Sequence, residues 1–77
     1  MRYYFDIREA DGLYPDEEGM EFETQREAER EAVHTLAGLT RDYVSAEVRH
    51  DVSIEVRTDA GRVFQAALIF EANAVKQ

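Results

Sequence analysis

Thr24-Gln25-Arg26-Glu27 constrains this chain more than any other four residues in it. A Thr followed three positions later by Glu forms a capping box. The Thr24 hydroxyl accepts from the Glu27 amide and the Glu27 carboxylate accepts from the Thr24 amide, which satisfies two donors that the start of a helix leaves unpaired. Beyond the box, Ala28, Ala32, Leu36, Leu39 and Tyr43 recur at spacings of 4, 4, 3 and 4, one stripe of a 3.6-residue period that Val33 and Ala37 widen. Arg26, Glu27, Arg30, Glu31, Thr35, Arg41 and Asp42 fall on the opposite face, with Glu27 and Arg30 spaced to attract one another. The pattern predicts a helix from the Thr24 cap to near Val44. Small Ala28 and Ala32 imply a close approach to a sheet, and the larger Leu36, Leu39 and Tyr43 a wider gap. Gly38 costs about 1 kcal/mol relative to Ala in a helix interior, so a close approach or a slight bend is expected there.

Strand signals lie on both sides of this helix. Residues 2–8 alternate, with Tyr3, Phe5 and Ile7 assigned to the core and Tyr4 to the other face. Asp11-Gly12 and Pro15-Asp16-Glu17-Glu18-Gly19 are turn signals, with Leu13-Tyr14 as a few extended residues between them. Met20-Glu21-Phe22-Glu23 alternates as a short strand whose flanking acids suit an edge that must resist pairing. Ala46 to Asp51 is a polar connection. Val52 to Thr58 alternates strictly, Asp59-Ala60-Gly61 is a hairpin loop, and the partner strand runs from Arg62 to about Glu71. The expected fold class is α+β, in the order β-β-α-β-β, an antiparallel-rich sheet with one helix packed on one face. Residues 1–77 make a single domain with an ordered core over about 2–71 and a frayed tail over 72–77.

Seventy-seven residues bury a modest core, and chains of this size often add disulfides, a metal or a second subunit. With no cysteine and two well-separated histidines, self-association is the remaining support. No apolar run approaches the roughly 18 residues of a membrane span. The charged start of the chain leaves no secretory apolar region, so the expected location is cytoplasmic. The net charge is −8, and residues 1–23 carry eight acids against Arg2 and Arg8. An acidic domain repels phosphate backbones, so no nucleic-acid partner is expected, and no membrane partner either.

The sequence offers no catalytic constellation and implies no cofactor. The acids at Asp16, Glu17, Glu18, Glu21 and Glu23 lack the alternation that places oxygens around calcium, and an acidic turn before a helix also suits the positive end of its dipole. His34 lies at the edge of the apolar stripe and His50 in the polar connection, neither in a nucleophile motif. The most informative residues are structural. With Tyr3, Phe5, Ile7, Val52, Ile54, Val56, Phe64, Leu68 and Phe70 facing the helix, Tyr4, Val63, Ala67 and Ile69 line the far face of the sheet. A partly apolar face that one helix cannot cover is a candidate interface, for a homodimer or an unknown protein partner. Strand edges are a second candidate.

Three short motifs link the chain to a known group. Arg2-Tyr3-Tyr4-Phe5, the turn Asp16-Glu17-Glu18-Gly19, and Ile54-Glu55-Val56 with Asp59-Ala60-Gly61-Arg62-Val63 resemble an uncharacterised family of small, mainly alphaproteobacterial proteins, a domain of unknown function. The resemblance supports residues 2–71 as one unit and implies no activity, cofactor or catalytic residue. The expected function is therefore a small acidic, non-enzymatic protein-interaction module, self-associating through the open sheet face or an edge strand. The alternatives are an antitoxin-like regulator that neutralises a basic partner, and a small-molecule-binding or enzymatic domain using the 9–19 loop.

Overall fold

A computed structural model describes residues 1–46 and 50–70. The elements are β1 (Arg2–Glu9), β2 (Gly12–Tyr14), β3 (Met20–Glu21), α1 (Gln25–Ser45), β4 (Val52–Thr58) and β5 (Gly61–Leu68). The fold is α+β, with an antiparallel sheet and one helix, as the sequence predicts. One strand is added to the expected order: Leu13-Tyr14 pairs with β1 and is a true strand, giving β-β-β-α-β-β.

The sheet runs β2-β1-β4-β5, and β3 pairs with the start of β1. Phe5 lies opposite Val56, Ile7 opposite Ile54, Val56 opposite Phe64 and Val52 opposite Leu68. That register places every second residue of three strands under the helix. A two-residue loop joins Thr58 to Gly61, whose φ of 126° a side chain would rarely adopt. The ladder shifts beside it: Phe64 opposes Val56 and Arg62 opposes Arg57, so Val63 is the unmatched residue of a bulge.

The capping box forms as expected. Thr24 is extended (φ −132°, ψ 154°), its hydroxyl accepts from the Glu27 amide at 3.2 Å, and its own amide donates to the Glu27 carboxylate at 3.1 Å. Ala28 and Ala32 are fully buried against Tyr3, Ile54 and Val56, with Phe5, Ile7, Phe22, Leu36, Leu39 and Phe64 packed around them. Phe22, just ahead of the cap, meets Tyr3 and Phe5 at ring-centroid distances of 6.2 and 6.0 Å and fixes how the chain enters the helix.

Several expectations about the helix are corrected. Val33 does not widen the buried stripe but is 53 % exposed, and Ala37 is exposed as well. A methyl at Gly38 would meet nothing within 4 Å, so that glycine serves no close approach. Glu27 is engaged at the cap and forms no pair with Arg30. At the other end of the chain, β5 stops at Leu68 rather than near Glu71, and Phe70 is 42 % exposed rather than part of the core. Part of the 46–51 connection and the expected tail at 72–77 lie outside the described residues.

Candidate functional site

The four candidate interface residues do not form one apolar patch. Tyr4 is half-buried beneath Arg57, whose guanidinium carbon sits 4.5 Å from the ring centroid. Val63 is 36 % and Ile69 64 % exposed, and Ala67 is also exposed. Between Tyr4 and Ala67 the far face is ionic, because the alternation that sends Phe5, Ile7, Ile54 and Val56 under the helix sends Asp6, Arg8, Glu55 and Arg57 the other way. Asp6 and Glu55 are each 6 % exposed. Arg57 Nε donates to Asp6 at 2.8 Å; Arg8 Nε donates to Glu55 at 2.7 Å, and Arg62 pairs with the other Glu55 oxygen at 3.0 Å. The hydrogen bond that each arginine donates to its buried carboxylate raises the arginine's pKa, Arg8 through Glu55 and Arg57 through Asp6. Ala67 and Ile69 instead border a shallow cleft of about 390 Å³ with Arg8, Ser53 and Gln65.

The two edges of the sheet are built differently. Along β1 the outer partner is an interrupted strand: β2 covers Ile7 to Glu9, β3 covers Arg2 and Tyr3, and residues 15–19 loop out between them. The Asp16 side chain fills the gap. Its carboxylate accepts from the Phe5, Glu18 and Gly19 amides at 3.1 Å each, and its amide donates to Asp6 at 2.8 Å. Burial pushes the Asp16 carboxyl up, but the three amides and the charge of Arg57 outweigh it and hold the pKa below the ordinary value. Arg57 also donates to the Asp16 carbonyl at 2.9 Å. Gly19 takes φ 73°, and a Cβ there would lie 2.8 Å from the Tyr3 carbonyl. In the same segment the Tyr14 hydroxyl donates to Asp11 at 3.0 Å, while Glu17 and Glu18 are exposed.

β5 forms the opposite edge, and among the described residues no strand pairs with its outer side. Beside it runs the first half of α1. Gln25 reaches across, its amide donating to Glu29 at 2.9 Å and to the Val63 carbonyl at 3.4 Å. Arg26, Glu29, Arg30, Val33 and His34 line an open groove of about 770 Å³ floored by Phe64. Sequence reasoning assigned Arg26 and Arg30 only to a solvated helix face. Nothing local in the sequence marks them, because it is the packing of β5 against α1 that puts an aromatic floor beside them.

The two histidines are far apart. His34 lies in this groove. The His50 ring lies tilted against Tyr43 at a centroid distance of 5.4 Å, with its Nε2 buried 3.8 Å from a Glu9 oxygen, while the Tyr43 hydroxyl donates to the other Glu9 oxygen. These contacts tie the last turn of α1 to the end of β1. Among the described residues, no three His, Asp or Glu side chains are grouped to hold a metal ion, and no helix is long and apolar enough to cross a membrane.

No curated protein and no solved structure gives a significant match to the chain. A family model does: it spans residues 2–69, from the first residue of β1 to just past β5, and so takes in both edges, the Asp16 turn and the helix between them. The chain belongs to the family described as Domain of unknown function (DUF6894).

Proposed function

We propose that this domain is a non-enzymatic protein-interaction module that works through the β5 edge of its sheet. One observation carries the reading: an eight-residue strand with no partner strand on its outer side among the described residues, on a sheet whose other edge is broken by a loop into strands of three and two residues. Alternate residues of an antiparallel edge strand direct both N–H and C=O outward, a ready template for an added strand. Exposed Val33, Val63 and Ile69 lie along or beyond that edge and supply apolar contact. Self-association through the same edge belongs to this reading. The ionic centre of the far face makes it a poorer apolar surface than the edge, since each of its carboxylates is already neutralised.

Proline at Gln65 and at Ala66 tests the edge directly. Of two neighbouring amides in β5, one faces β4 and one faces out. The inward proline removes a ladder hydrogen bond and destabilises the fold by about 1 kcal/mol or more. The outward proline keeps the melting temperature and abolishes association, measured by sedimentation for self-association. Binding that survives the outward proline sinks the proposal.

A further inference from the structure

We infer that the groove between α1 and β5 receives an extended acidic segment of another protein, added as a strand to β5 with alternate carboxylates on Arg26 and Arg30. This rests on the edge reading above and names the chemistry of the partner.

Charge is the first ground. The chain holds 17 acids against nine Lys and Arg, and each arginine on its sheet has a carboxylate: Arg2 on Glu21, Arg8 and Arg62 on Glu55, Arg57 on Asp6. Among the described residues, Arg26 and Arg30 have no such partner within 4.0 Å, although acids surround them in sequence. The reason is local. Glu27 is held at the helix cap, Glu29 by the Gln25 amide and Glu31 by the Thr35 hydroxyl. Two guanidinium groups, like that of Arg41 further along the helix, are thus left with their donors available, but only Arg26 and Arg30 lie in the groove beside β5, and their fork geometry fits carboxylates.

Spacing is the second ground. Residues four apart on a helix are displaced by about 6 Å along its axis, and residues two apart on a strand by about 6.6 Å. A strand laid along β5 therefore meets Arg26 and Arg30 with consecutive side chains of one face. The next position on that face falls near Val33, which favours an apolar group. Direction follows from the fold. α1 begins beside Val63 and ends at Glu9, near the Arg8–Ser53–Ala67 row, so α1 and β5 run the same way. A segment antiparallel to β5 then reads apolar-x-acid-x-acid from its N-terminus.

The test uses the full chain and three fluorescent peptides read by anisotropy: Leu-Thr-Glu-Thr-Glu within a short neutral frame, the same with Lys for Glu, and the same composition with the two Glu adjacent. The alternating acidic peptide is expected to bind at least tenfold more tightly than the other two, and more weakly as salt rises. The Arg26→Glu/Arg30→Glu double variant is expected to reverse the preference toward the Lys peptide while keeping the wild-type melting temperature. Equal binding of the three peptides, or a preference that the double variant leaves unchanged, overturns the acidic partner even if the outward proline shows the edge to be used. Acidic-peptide binding that persists in the outward-proline variant overturns strand addition. A wild-type dimer that is insensitive both to the double variant and to competing peptide assigns the edge to a second copy, which also overturns it.

Discussion

The outer side of β1 is closed by two short strands while that of β5 is open, and the closed edge is the more elaborate. β1 is covered by two short strands joined by a loop whose Asp16 carboxylate satisfies the backbone where the ladder is broken, and acids at positions 11, 16, 17, 18, 21 and 23 surround it. β5 has no proline, no lysine and no looped-out segment over its eight residues. Natural sheets blunt the edges that must not pair, by short strands, charges and bulges. An edge cut into short strands and lined with acids, opposite one that carries only a bulge at Val63 and the charge of Arg62, supports β5 as the edge where pairing is tolerated.

The largest effect is expected on the closed edge. Gly19→Ala forces φ 73° on a residue with a Cβ and drives that Cβ to 2.8 Å from the Tyr3 carbonyl, so about 2–3 kcal/mol of stability is lost. For a domain of this size that lowers the melting temperature by about 10–20 °C. An unchanged midpoint would mean that the loop is not a structural part of the edge.

Asp16→Asn removes the charge that accepts from three amides, and about 1–2 kcal/mol of stability at neutral pH is expected to go with it. The pH dependence has a definite sign. A carboxyl whose pKa is lowered by folding stabilises the native state fully above the unfolded value, near 4, and loses that contribution as pH falls through the lower folded value. Thermal melts of wild type and Asp16→Asn should differ at pH 7 and converge as pH drops below about 4. A gap of constant size down to pH 2 would assign the effect to shape rather than charge.

The smallest effect separates paired from unpaired arginines. Arg26→Ala and Arg30→Ala, beside the open edge, should each stay within about 0.5 kcal/mol of wild type. Arg57→Ala, which strips a buried carboxylate and the closed loop of their donor, should melt clearly lower in the same scan. Equal midpoints for the three would show that the Arg57–Asp6 pair contributes nothing to stability.

Much of the fold was legible in local pattern. The cap at Thr24, the β4 boundaries at Val52 and Thr58 and the hairpin at Gly61 follow from capping chemistry, two-residue alternation and turn preference, each acting over a few neighbours. β2 was seen only as extended chain, because three residues carry too little periodicity to announce a partner. The ionic centre of the far face was not legible for a related reason. Tyr4, Val63, Ala67 and Ile69 stand out in a list, but the same alternation places Asp6, Arg8, Glu55 and Arg57 between them.

By itself, then, the sequence determined the helix, its start, and which residues of β1, β4 and β5 it covers, since those depend on spacing along one chain. Tertiary structure alone decided that Asp16 would close one edge, that Glu55 would take two arginines, and that Arg26 and Arg30 would be left beside an open strand. Ion pairing and edge exposure depend on which strands become neighbours, and strand order is set by contacts distant in sequence that no local period encodes.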